Sequence, residues 1–173
     1  ALNDGETGTD TLTVQSVDGT QKTISVTVDG ANDAPTIVLP SELTVPINPV
    51  TPEDTAISIT GLSVGDVDNE TLTVTLTASS TIDLASTTEL TGLSGDGTNV
   101  VTFTGSAADI NAALDGLTYT PSENVNDDNG TGQIVVEVTD NNPTNTQTVS
   151  KTLDISITAV NNAPEIAIET TNL

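Results

Sequence analysis

The sequence predicts an all-β sandwich with one short helix, repeated in a tandem array. Apolar residues alternate with Thr over several runs, which is typical of strands that bury one face. The runs are short and closely spaced, as they are in a sandwich. Two of the runs also recur together with the segments that follow them, and repetition of this kind is typical of arrays.

The composition limits the classes of function. The chain has 173 residues, no Cys and no His, and its only basic residues are Lys22 and Lys151, against 25 acids. It therefore lacks disulfides and the side chain most used for acid–base chemistry near neutral pH. A net charge of −23 would repel nucleic acid and anionic membranes. We expect cations as the natural partners, with folding linked to their binding.

No apolar run approaches the roughly 20 residues needed to span a bilayer, so we expect no direct membrane insertion.

Two stretches of the chain match each other strand for strand and linker for linker. The matched pairs are residues 8–14 with 130–136, residues 22–28 with 151–157, and the linkers 32–35 with 161–164. The last two pairs share an offset of 129 residues (151 − 22 and 161 − 32), whereas the first has an offset of 122. Each linker ends in Ala-Pro, and Pro favours extended backbone before it, which suits a taut connection.

The repeat predicts three units. Residues 1–35 are the last strands and linker of a preceding repeat, residues 36–164 a complete repeat, and residues 165–173 the start of a following one. Two strands alone do not make a stable fold. We expect that residues 1–35 were cut from a longer array, since exposed strand edges invite aggregation. The alternative is that they complete a sandwich in a neighbouring chain by strand addition.

Eight strands are predicted in the complete repeat. They lie near residues 36–46, 55–64, 71–78, 81–85, 99–104, 117–120, 132–139 and 147–158. The clearest one alternates most strictly: Leu72, Val74, Leu76 and Ala78 face one way. The intervening Thr residues, from Thr71 to Thr77, are expected to face solvent.

One helix interrupts the strands. Ser106 and Asp109 resemble a capping box in which Asp replaces the usual Glu or Gln. Ile110, Ala113 and Leu114 then form an apolar stripe, and Gly116 is suited to a left-handed residue after the helix.

Three segments together resemble a known family. Residues 112–121, 136–140 and 161–164 are similar to the cadherin-like repeats of large bacterial surface adhesins, and residues 1–35 resemble the end of such a repeat. The resemblance implies an immunoglobulin-like Greek-key sandwich that acts as a structural extender in an extracellular adhesin or biofilm protein, at the bacterial surface or in its matrix. The implied partners are adjacent repeats of the same chain. The implied cofactor is calcium, at the junctions between repeats.

The topology and the resemblance together predict the first calcium site. In such a sandwich the loops after the second strand and after the last strand but one lie at the end where the chain enters. Calcium takes six to eight oxygen ligands, and clustered carboxylates on flexible loops supply them. The predicted ligands are Asp66 and Asp68 in one loop, Asp140 in the other, Asp29, Asn32 and Asp33 in the linker, and Asn3, Asp4 or Glu6 from the preceding repeat.

A second site is predicted at the other junction. Its ligands would be Glu53, Glu123, Asp127, Asp128, Asn161 and Asn162. Amides carry less charge than acids, and loops of a following repeat would be needed, so we expect weaker binding there. For both sites the alternative is that the acids are ordinary turn formers.

Two other functions fit parts of the sequence. The row of Thr residues between Thr71 and Thr77 fits an ice-binding or other recognition surface, although Thr is also an ordinary strand residue. Lys22 and Lys151 begin on the core face, which allows a crosslink to an Asn or Asp if desolvated. Alternatively, each carries its ammonium out to solvent, near Asp18 or Asp140 respectively.

An enzyme is not expected. Acid pairs such as Asp127 and Asp128 lie in polar loops, whereas a general acid or base needs an enclosed site that shifts its pKa. Tyr119 is predicted to be a core or corner tyrosine.

Overall fold

The fold is an all-β sandwich with one α-helix, preceded by a separate hairpin, as a computed structural model shows for residues 2–42, 49–68, 71–128 and 130–162. The hairpin strands are β1 (Thr7–Gln15) and β2 (Gln21–Asp29). The sandwich contains β3 (Thr36–Val38), a 3-10 helix (Pro40–Glu42), β4 (Val50–Pro52), β5 (Ile57–Ile59), β6 (Ser63–Gly65), β7 (Leu72–Asp83), β8 (Thr91–Ser94), β9 (Thr98–Gly105), α1 (Ala107–Leu114), β10 (Leu117–Thr120), β11 (Gly132–Asp140) and β12 (Thr148–Thr158).

The long strand β7 organises the sandwich. Its first part pairs with β11 on one side and β9 on the other, and its end pairs with β10. The main sheet runs in the order β4-β12-β11-β7-β10-β5, with β9 and β8 added beside β7, and β3 and β6 form a second, two-stranded sheet. β3 packs against β11 and β12, while α1 packs against β6 and β9. One continuous apolar core results.

The core follows the alternation in the sequence. Leu72, Val74 and Leu76 are fully buried, and the expected Thr residues of β7 face outward. Tyr119 is 1% exposed and shares a hydrogen bond of 2.8 Å with the Ser79 hydroxyl, so the predicted core position of this tyrosine is confirmed.

The helix forms as the sequence predicts. Ser106 Oγ accepts a hydrogen bond from Asp109 N, while the Asp109 carboxylate accepts one from the Ser106 hydroxyl. Ile110, Ala113 and Leu114 are buried, and Gly116 has a positive φ of 96°. Asn111 then fixes the helix to β6, because its side chain both donates to Val64 O and accepts from Val64 N.

Some predicted strand boundaries are wrong. The first strand ends at Val38, where the 3-10 helix follows, and residues 43–46 lie outside the described part. The second is interrupted at Gly61, whose φ of 82° divides it into β5 and β6. The segments 71–78 and 81–85 form the single strand β7, and the short strands β4 and β8 were not predicted.

A rung of threonines crosses the outer face of the main sheet. Thr148, Thr139, Thr73, Thr104 and Thr91 lie directly opposite one another on β12, β11, β7, β9 and β8. Their hydroxyls bond to one another in two pairs, Thr139 with Thr148 and Thr73 with Thr104. Such cross-strand pairs stabilise a sheet.

Lys151 reaches solvent beside Glu42, not beside Asp140. Its ammonium lies 2.6 Å from Glu42 Oε1, and its side chain remains 34% exposed. The hydrogen bond from the Leu39 backbone N–H lowers the pKa of Glu42 most, and the hydrogen bond from Lys151 lowers it further. Lys151 is therefore not the desolvated lysine that a crosslink would require.

The described part of the chain contains no helix long and apolar enough to cross a membrane.

Candidate cation site at the hairpin–sandwich junction

Four segments meet where the hairpin joins the sandwich. They are residues 2–6 before β1, residues 30–35 after β2, the loop after β6 and the loop after β11. Hydrogen bonds between these segments connect most of the acids predicted at the first site. We call this region the junction.

Asp68 binds the chain on both sides of the hairpin to the sandwich. Its Oδ1 accepts a hydrogen bond of 2.7 Å from Asp4 N, and its Oδ2 accepts one of 2.6 Å from Asp33 N. One carboxylate therefore holds the chain just before β1 and just after β2. The loop that carries Asp68 is placed by β6, which Asn111 clamps to the helix.

Asp66 is the one described side chain with a buried oxygen that lacks a hydrogen-bond partner. Its Oδ1 accepts from Asp68 N at 2.8 Å, whereas its Oδ2 is buried and unpaired. Burial raises the pKa of Asp66; the Asp68 backbone opposes this, and the negative charges of Asp68, Asp140 and Asp33 add to it. A buried, unpaired carboxylate oxygen is costly.

Asp140 is fully buried but well satisfied. Its carboxylate accepts hydrogen bonds from Asn32 Nδ2 at 2.9 Å, Gln147 N at 2.9 Å and Asn142 N at 3.3 Å. Burial alone would raise the pKa of Asp140, but these hydrogen bonds together outweigh it and hold the pKa below its usual range. Asp140 therefore stays ionised.

Two residues of the junction were missed by the sequence analysis. Asn142 is 1% exposed and donates to Asp4 Oδ2 at 2.7 Å and to Asn32 Oδ1 at 3.1 Å. Gln147 Nε2 donates to Asn32 O at 3.0 Å. The only sequence signal was their position in the loop that directly follows Asp140.

Two predicted ligands bond locally instead. The Asp29 carboxylate accepts from Thr7 Oγ1 at 3.4 Å, across the end of the hairpin. Glu6 Oε2 accepts from Asn3 N at 2.9 Å. Asp29 nevertheless shares an open concavity with Asp33, lined also by Leu2, Val28, Gly30 and Ala31.

The chemistry of the junction suits a hard cation. Every polar side chain named there offers oxygen, the ligand atom of calcium. The acids Asp4, Asp33, Asp66, Asp68 and Asp140 gather around it, and no described hydrogen bond or ion pair brings a lysine to them. Among the residues described, however, no three acidic side chains already converge as a metal site. N–H groups already occupy both carboxylate oxygens of Asp68 and Asp140 and one oxygen each of Asp4 and Asp66, whereas Asp66 Oδ2 is buried and unpaired.

Of the four acids predicted at the second site, Glu53 and Asp127 accept hydrogen bonds near the end of β12, while Glu123 and Asp128 are exposed. Glu53 is 4% exposed and accepts from Val160 N and Asn126 Nδ2. Asp127 accepts from Ser156 Oγ and Ile157 N, which lowers its pKa. Asp128 and Asn161 are exposed, and Asn162 donates to Asn124 Oδ1 at 2.6 Å.

No model of a known protein family matches this chain, and no curated protein is significantly similar to it.

Proposed function

We propose that this chain is a structural extender segment of an extracellular bacterial adhesin or biofilm protein, made more rigid by calcium at the junction. The observation that carries the proposal is the junction itself. Acids from the hairpin, the linker and two sandwich loops are drawn together there, with one buried carboxylate oxygen left unpaired. Such an arrangement connects the hairpin to the sandwich through a site that a cation would stabilise.

The pairing of the hairpin supports a tandem array. In β1–β2, Asp10, Leu12 and Val14 lie opposite Val26, Ile24 and Lys22. In β11–β12 the residues at the matching offsets pair in the same register: Gly132, Ile134 and Val136 opposite Ile155, Leu153 and Lys151. We infer that β1–β2 is the closing hairpin of another sandwich unit.

The exposure of the hairpin agrees with this inference. Ile134, Leu153 and Ile155 are at most 2% exposed, whereas their counterparts Leu12, Ile24 and Val26 are 51–61% exposed. The opposite face of the hairpin carries mainly Thr and Ser, as the outer face of the sandwich does. An apolar face of this kind is expected to be covered by the remaining strands of its own unit.

A cation would relieve the electrostatic cost of the junction. Asp66, Asp68, Asp33 and Asp140 would hold it, with Asp4 and the Asn32 amide oxygen as further ligands. When bound, calcium supplies positive charge and joins ligands from separate segments. Without it, the carboxylates repel one another, and the hairpin is less firmly held to the sandwich.

Thermal unfolding with calcium and with excess EDTA tests the proposal. Calcium should raise the Tm of the wild type and have little effect on Asp66→Asn/Asp68→Asn. The matched control is Glu137→Gln/Asp154→Asn, which removes the same charge from exposed strand positions and should respond like the wild type. An equal Tm with calcium and with EDTA in the wild type would refute a calcium role.

The exposed hairpin face also favours a second candidate function, a fibre subunit that assembles by strand addition. In that case the sandwich that β1–β2 completes belongs to another molecule. Light scattering during size-exclusion chromatography distinguishes the two. The extender proposal expects a monomer at all concentrations, and the fibre candidate expects a mass that grows with concentration and falls in Ile24→Asp.

A further inference from the structure

Asn32 uses every polar atom of its side chain to hold the linker in the loop after β11. Its Nδ2 donates to Asp140 Oδ2 at 2.9 Å and to Asn145 O at 2.8 Å. Its Oδ1 accepts from Asn142 Nδ2 at 3.1 Å, and its backbone carbonyl accepts from Gln147 Nε2 at 3.0 Å. These four hydrogen bonds join the linker to the sandwich.

The receiving loop holds its own shape around Asn142. Asn142 Oδ1 accepts from Thr144 N, Thr144 Oγ1 and Asn145 N, and its backbone carbonyl accepts from Thr146 Oγ1. Gln147 N and Asn142 N also fix the Asp140 carboxylate from within the loop. The acceptors and donors that meet Asn32 are therefore positioned by contacts that do not involve the linker.

None of these bonds needs a cation. Asn32 is neutral, and one of its N–H groups meets a buried carboxylate, which is a stronger bond than one between neutral groups. We propose that residues 140–147 form a docking site for the linker asparagine of the preceding unit, and that this contact holds the linker in place without metal. The proposal rests on the tandem-array part of the proposed function.

The same hydrogen-bonding chemistry indicates a partner for the matching linker after β12. Asn161 stands 129 residues after Asn32, in the matching linker position. The next position differs, being Asp33 in one linker and Asn162 in the other. Asp at position 32 would set a second carboxylate against Asp140 and remove both donors. The partner that fits Asn161 is therefore the corresponding loop of a further sandwich unit.

A distance measurement across the junction tests the contact. Because the chain has no Cys, Ser25→Cys and Ser150→Cys place two spin labels specifically, on exposed strand positions of the hairpin and the sandwich. Double electron–electron resonance is recorded in excess EDTA. We expect one narrow distance peak for otherwise wild-type protein and loss of that peak in Asn32→Ala and in Asn32→Asp.

Two further variants complete the design. Gln147→Ala keeps the backbone bonds to Asp140 and removes only the contact with the Asn32 carbonyl, so its peak should broaden less. Asn161→Ala makes the same change in the matching linker and should leave the peak unchanged. Melting curves confirm that each variant retains its sandwich.

The outcomes separate this contact from the calcium proposal. A broad distribution for the wild type in EDTA, or a narrow one for Asn32→Ala in EDTA, overturns the docking site whatever calcium does. Calcium added afterwards tests only the proposed function: it should narrow the peak of Asn32→Asp, and failure to do so counts against calcium while leaving the EDTA result intact.

Discussion

Asp66 and Asp140 lie in the same junction, but their pKa values shift in opposite directions. Asp140 receives three hydrogen bonds and stays ionised, whereas one oxygen of Asp66 receives none. The difference depends on the loops and not on residue type. Asp140 therefore acts as a structural anchor of its loop, and Asp66 as the group with most to gain from a cation.

Removing the Asp66 charge should stabilise the metal-free protein. In EDTA, we expect Asp66→Asn to raise the free energy of unfolding by about 1 kcal/mol, because the amide removes a charge that neighbouring carboxylates repel and offers them an N–H donor. In calcium, the variant should be less stable than the wild type, because it has lost a ligand. Urea denaturation in both conditions measures the two signs. A variant that is less stable in EDTA as well would contradict this account of Asp66.

The stability difference between Asp66→Asn and the wild type in EDTA should depend on pH with a definite sign. The pKa of Asp66 is raised, so its ionisation weakens the fold as the pH rises from the ordinary value of 3.8 through the raised one. In EDTA, the advantage of Asp66→Asn should be largest near neutral pH and should shrink as the pH falls through the same window. An advantage that grows on acidification would show that the Asp66 pKa is lowered instead.

The sequence predicted the acids of the junction better than its amides. Asp66, Asp68 and Asp140 lie at or just after the ends of strands, and the alternation of apolar and polar residues shows where those strands end. Asn142 and Gln147 bond to a linker more than a hundred residues away in the chain. Their local sequence is that of an ordinary polar turn, so pattern alone does not reveal these contacts.

At the level of elements, local signals decided which strands were predictable. β7 alternates strictly and pairs on both sides, and its core face was assigned correctly. β4 has only three residues and ends in Pro52, and it owes its strand form to its neighbour β12. β8 lies on the exposed side of β9 and buries none of its residues. Neither strand carries the alternation of apolar and polar residues that marks β7.

The helix depends on its cap. Ser106→Ala removes the acceptor for Asp109 N and should cost about 1 kcal/mol of stability. Ser106→Asp keeps an acceptor at the same position and should cost less. Chemical denaturation of the two variants compares them directly, and equal losses would show that the cap does not hold the helix.

The hairpins β1–β2 and β11–β12 offer a matched pair of large-to-small substitutions, one exposed and one buried. Leu153 and Ile24 occupy matching positions, but Leu153 is 2% exposed and Ile24 is 51% exposed. Leu153→Ala should cost about 2–5 kcal/mol, as buried large-to-small changes do. Ile24→Ala should stay within about 0.5 kcal/mol, as exposed changes do. A large cost for Ile24→Ala in calorimetry would mean that the hairpin face is covered in the isolated chain.

At the level of the whole molecule, the effects of NaCl and of calcium on Tm should distinguish screening of the acidic charges from specific calcium binding. With a net charge of −23, the metal-free protein should gain Tm as NaCl is added, because salt screens repulsion between exposed acids. Calcium should raise Tm further at equal ionic strength. Asp66→Asn/Asp68→Asn should keep the NaCl response and lose the additional calcium response. If the variant keeps both, calcium acts only by screening or at other acids.

The whole fold was more predictable than its parts. Alternation and repetition sufficed for the sandwich and the separate hairpin, and the cap and apolar stripe sufficed for the helix. The exact order of strands in the sheets could not be predicted, because β7 changes partners along its length and its register with β9 shifts between Thr77 and Ile82. Such changes depend on packing between strands that are distant in the sequence.

The parallel pairing of β4 with β12 makes the resistance of the sandwich to stretching depend on the direction of the force. The chain enters through β3 and β4 and leaves through β12, and the two strands are joined by hydrogen bonds from Ser156 N to Pro49 O and from Glu53 N to Thr158 O. Tension between the two linkers pulls β4 and β12 past each other. The bonds between them are then loaded in shear and must break together, whereas peeling would break them one at a time. The fold should resist stretching most strongly along the line on which an extender would carry force.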